Sequence, residues 1–145
     1  MTPIRRPLAA VGAAALLGLT LTACGGGSYP TDASEKDFCG GVQDVLTTTD
    51  GVSGDEPTEA EWKKLQDAYG DLGDIGTPQG IGDAERNGFE VIVDAITGLD
   101  YDEAQKSFGD KDGTDAVPGV SKDDEKDVDK FFAYLPTVCA DQLGG

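Results

Sequence analysis

Histidine is absent from all 145 residues, and basic residues are scarce, with 11 Lys and Arg against 28 Asp and Glu. The first absence removes the side chain that most often activates a nucleophile or carries a proton near neutral pH. Paired carboxylates could still serve a hydrolase. With 28 acids, however, chance pairs are common, and the pattern points to no enzyme. The shortage of bases leaves a net charge of −17. Nucleic acid is disfavoured as a partner, because phosphate contacts require Lys and Arg. A folded domain lying directly on an anionic bilayer is disfavoured for the same reason. Charge of this size gives solubility and self-repulsion at a crowded surface without any specific basic partner.

Long apolar runs are also missing, with one exception near the start. Leu8 to Leu21 gives fourteen residues without a charge, preceded by Arg5 and Arg6 and followed by Leu21-Thr22-Ala23-Cys24. The run is shorter than the roughly 18 to 20 apolar residues a helix needs to cross the hydrocarbon, and its layout is that of an export signal. An ordinary signal peptide cut after Ala23 would want a small residue where Leu21 stands. The Leu21 to Cys24 stretch instead resembles the lipobox of bacterial lipoproteins. That resemblance implies cleavage before Cys24, alkylation of its thiol by a diacylglycerol, and a mature chain anchored by lipid at the extracytoplasmic face of the cell membrane. Arg5-Arg6-Pro7-Leu8 is only a loose match to the twin-arginine signal, so the export route stays open.

Loss of residues 1–23 takes away two arginines and no acid, so the charge becomes −19 on the remaining 122 residues, a length that fits one domain. Once Cys24 carries lipid, two cysteines are left, Cys39 and Cys139. Outside the cytoplasm an even pair of this kind is expected to form a disulfide. Two lone cysteines without histidine make an incomplete zinc site, and a free thiol would lack an activating imidazole. Neither metal nor cofactor is therefore expected. Between lipid and domain, residues 24–33 read as a flexible Gly-rich tether, whose coil span is on the order of 17 Å. Residues 34–145 read as the acidic helical domain.

Helical signals run through that domain. Ser34 can cap a first helix whose Phe38, Cys39, Val42, Val45 and Leu46 share a face, weakened by Gly40 and Gly41. Thr58 and Glu61 form a capping box ahead of Trp62, Leu65, Tyr69, Leu72 and Ile75, and Gly76 and Pro78 stop the second helix. A third runs from Gly80 or Asp83 to about Thr97. Its broad stripe of Ile81, Ala84, Gly88, Ile92, Ala95 and Leu99, widened by Phe89 and Ile96, predicts burial over most of its surface. Asp102 to Phe108 suggests a short helix, and Gly109 to Val120 a loop. Ser121 and Asp124 open the last helix, with Val128, Phe131, Phe132, Leu135 and Val138 on its apolar face. Pro136 predicts a kink or break near Leu135, because it lacks an amide hydrogen. The sum is an all-α bundle of about four helices, in which a Cys39 to Cys139 bridge joins the first and last.

Phe38-Cys39, Gly76-Thr77-Pro78, Gly88-Phe89 with Val91-Ile92-Val93, and the late Cys139 together resemble small exported lipoproteins of actinobacteria. The resemblance implies a helical, disulfide-bridged domain and no particular activity. Asp110 to Asp115 has the look of a calcium loop but departs from the EF-hand pattern at Thr114, Asp115 and Ser121, so a solvated loop is expected. Trp62, Tyr69, Phe131 and Phe132 could line a pocket, although helical spacing makes them core. The reading is a lipid-anchored binding, accessory or scaffolding domain, with the membrane reached through Cys24 and a protein partner of unknown identity. A small-molecule or lipid carrier using a bundle cavity is the alternative. A carboxylate-dependent cell-wall hydrolase is the remote one.

Overall fold

The computed structural model describes residues 28–52, 57–108 and 120–143. Cys24 with the leader, and the Asp110 to Asp115 loop, lie outside the described residues. Among the described residues the chain forms six helices in the order α1 (Glu35–Asp50), α2 (Glu59–Ile75), α3 (Asp83–Gly98), α4 (Tyr101–Phe108), α5 (Lys122–Val138) and α6 (Ala140–Leu143). Four are long and two are short, and no strand is present among them, so the domain is an all-α bundle. No helix among the described residues is long and apolar enough to cross a membrane.

Local chemistry sets the starts. Ser34, Thr58 and Ser121 are extended N-cap residues whose hydroxyls accept from the amides of Asp37, Glu61 and Asp124. At Thr58 the box closes fully, because the Glu61 carboxylate also accepts from the Thr58 amide at 2.8 Å. Acids occupy the first turn of each long helix, where the positive end of the dipole favours them. Gly76 ends α2 with φ 77°, a left-handed conformation that favours glycine, and its amide donates to Leu72 O.

Packing follows a chain of neighbours: α1 lies on α2, α2 on α3, and α3 on α5 in the most extensive interface. Phe38, Phe89 and Phe131, one from each of α1, α3 and α5, meet at the centre with ring centroids 5.7 to 6.4 Å apart, within the range of favourable tilted aromatic contacts. Gly88 is what lets α3 and α5 close, since a Cβ there would fall on the backbone of Asp127 and Val128. The Asn87 amide and the Lys130 ammonium both donate to the Asp127 carboxylate at this interface, at 3.0 and 2.9 Å. Those hydrogen bonds, led by the one from Lys130, hold the Asp127 carboxyl below its ordinary range. Cys39 in α1 and Cys139 at the C-cap of α5 form a disulfide with Cα atoms 5.5 Å apart. It joins the first helix to the junction of the last two.

Several expectations change in detail. Leu46 and Phe132 are each 44% exposed, not core. On α3 the buried stripe is narrower than expected: Gly88, Phe89, Ile92, Val93 and Ile96 are buried, whereas Asp94 and Thr97 face out. Pro136 does not break α5, which runs on to Val138. Its fixed φ suits a helix, and the hydrogen bond it cannot make belongs to the carbonyl of Phe132, on a face open to water.

Candidate functional site

Two features stand apart from the core, a docked N-terminal segment and a groove on the far half of α2. The first corrects the extent of the tether. From Tyr29 to Ala33 the chain lies as a strap across α2, α3 and the loop between them. Pro30 O accepts from the Thr77 amide at 3.0 Å, and the Ala33 amide donates to Thr77 O at 3.2 Å. The Arg86 guanidinium donates to Tyr29 O at 3.2 Å. The Tyr29 ring stands edge-on to Phe89 with centroids 5.7 Å apart, and its hydroxyl donates to Asp94 at 2.5 Å.

Glycines make the space for it. A Cβ on Gly73 would lie 2.8 Å from Tyr29 Cε1, and one on Gly76 would collide with the Pro30 carbonyl. Burial, the hydrogen bond to Asp94, and the charges of Asp94, Glu90 and Asp74 push the Tyr29 phenol up to about 12. Sequence reasoning placed Tyr29 and Pro30 in a flexible segment. The available signal was an aromatic residue beside a proline, which is poor material for a flexible linker.

The groove, of about 600 Å³, runs between the first turns of α2 and the link from α3 to α4. Trp62 forms part of its floor and is 2% exposed, so its ring is core first and lining second. The Trp62 indole donates to Leu99 O at 3.2 Å, and the Gln66 amide donates to Leu99 O and Ile96 O at 2.8 and 3.1 Å. These two neutral donors cap the carbonyl end of α3. Glu59, Lys63, Asp100 and Tyr101 form the rim. A smaller groove of about 400 Å³ between α1 and α2 carries Asp44, Asp67 and Asp71.

Of the aromatics expected to line a pocket or a core, Phe131 is core, Phe132 is exposed, and Tyr69 is partly buried against the core. Phe89 and Phe131 pack ring against ring, and Trp62 belongs to the same buried core while also lining the α2 groove. Cys39 and Cys139 are brought together as the disulfide. Among the described residues no group of three or more acidic or cysteine side chains is arranged to hold a metal ion. Comparison with models of protein families, with curated proteins and with solved structures finds no match.

Proposed function

We propose that this chain is a lipid-anchored extracytoplasmic binding domain, held at the membrane by Cys24 and presenting the α2 groove to a partner. The Leu21 to Cys24 stretch supports the anchor, and how closely it would hold the domain depends on the strap. It clamps the chain to the bundle at Tyr29, five residues after Cys24, and an extended stretch of that length spans at most about 18 Å. A lipid on Cys24 would thus hold the bundle close to the bilayer at one defined point. Tyr29 sits on Gly73 while Trp62 lies eleven residues earlier on α2, about 16 Å along the helix axis. The strap's seat on Gly73 and the groove therefore occupy opposite halves of α2. The volume of the groove falls in the usual ligand range of roughly 300 to 1,000 Å³, and the disulfide fits an oxidising compartment.

Membrane fractionation with mass analysis of the N-terminal peptide tests the reading. Wild type is expected in the membrane fraction with Cys24 diacylated, and Cys24→Ala is expected to keep its leader. Wild type recovered free in the medium with an unmodified Cys24 thiol would overturn the anchor and the localisation with it.

A further inference from the structure

We infer that the α2 groove receives a cationic side chain, an arginine carried by an extended segment of a partner protein; this deepens the binding role proposed for the groove and rests on it. The argument is one of unmatched hydrogen-bonding capacity. α3 has no basic residue in its last turn, and its C-cap, Leu99, is extended, so the side chains seen donating to the negative end of its dipole are the neutral ones of Trp62 and Gln66. The Gln66 amide carries two hydrogens, already shared among the carbonyls of Ile96, Thr97 and Leu99. Its Oε1 has no donor among the described residues. Asp100 Oδ1 accepts from the Glu103 amide at 2.9 Å, which leaves the other carboxylate oxygen to the groove.

Glu59, on the opposite rim, has no ion-pair partner among the described residues. The one cation of the lining, Lys63, is engaged by Asp67 at 3.1 Å. The walls thus offer acceptors and two carboxylates against one cation, Lys63, which pairs with Asp67. A guanidinium, planar and with five N–H groups, suits several acceptors at once better than an ammonium does. Ala60, Leu99 and Tyr101 supply apolar surface for its aliphatic stem. The charge of the whole chain, −17, steers such a segment toward the domain.

The single tryptophan is a native reporter. The full mature chain in zwitterionic bicelles, labelled with nitrogen-15, is titrated at physiological salt with a capped peptide containing one arginine among alanines. A second titration uses the same peptide with citrulline, which keeps the shape and removes the charge. Saturable shifts of the Trp62 indole and Gln66 amide signals are expected with the arginine peptide, with affinity about tenfold weaker for citrulline. Glu59→Gln with Asp100→Asn is expected to weaken arginine binding by a similar factor. Asp44→Asn with Asp71→Asn, the same change of charge in the other groove, is expected to leave it unaltered.

Equal losses in the two double variants would reduce the effect to diffuse charge and overturn the inference. Equal binding of both peptides with Trp62 shifted would overturn the cationic occupant and leave the groove as a binding site. No saturable shift with either peptide would overturn the groove together with its ligand, while the anchor is judged separately by the state of Cys24.

Discussion

Gly88 and Gly40 are the same residue with opposite roles, and the difference lies in what surrounds their missing side chains. At Gly88 an added Cβ would fall on the backbone of α5 at Asp127 and Val128, whereas at Gly40 it would meet nothing within 4 Å. Backbone cannot step aside as the end of a side chain can. Gly88→Ala is therefore expected to push α3 from α5 and destabilise the domain by about 1 to 3 kcal/mol or more. Gly40→Ala should stabilise α1 by about 0.5 to 1 kcal/mol, through helix propensity alone. Urea denaturation of both variants checks the pair, and a Gly88→Ala protein as stable as wild type would remove the close-approach argument. Sequence alone treats both glycines as weak points of a helix. A small residue on an apolar stripe gives no sign that the backbone of a distant helix will rest on it.

Helix boundaries are the elements most legible in the sequence, because caps are local. Ser34, Thr58, Gly76 and Ser121 act within four residues of themselves, so spacing alone places α1, α2 and α5. The strap is different, since it needs a slot assembled from Gly73, Gly76 and Phe89, and no stretch of Tyr29 to Ala33 encodes that slot. Its titration gives a test. The folded state holds the Tyr29 phenol protonated, with a pKa raised from 10.0 to about 12. A raised pKa means that the docking contribution is complete below pH 10 and is lost as pH climbs through that interval. Ultraviolet titration of wild type against Tyr29→Phe isolates this tyrosine from Tyr69 and Tyr134, whose pKa values burial also raises. Ionisation of Tyr29 near 10 would mean that the strap is not docked in solution.

At the scale of the whole molecule, the bundle is a ring of helices with one thin seam. α1 packs broadly on α2 but only slightly on α5 and α6, and the Cys39 to Cys139 disulfide crosses that seam, closing a separation of 100 residues. All-α architecture with a terminal bridge is readable from apolar periodicity and cysteine count, because both are properties of the chain taken one stretch at a time. The thin seam is not, since it depends on which faces remain after α3 has taken α5. A loop of about 100 residues gives the bridge an entropic value of up to about 4.7 kcal/mol. Phe38 also packs against Phe89 and Phe131, contacts that do not run through the sulfurs, so the core is expected to persist in the reduced protein. Reduction is accordingly expected to lower the melting temperature by about 10 °C or more, with helical circular dichroism at room temperature nearly unchanged. Cys39→Ala with Cys139→Ala should behave as the reduced protein does. Equal melting of the oxidised and reduced forms would show that helix packing alone closes the seam, whereas loss of helical signal on reduction at room temperature would show that the three-ring core cannot hold α1 without the bond.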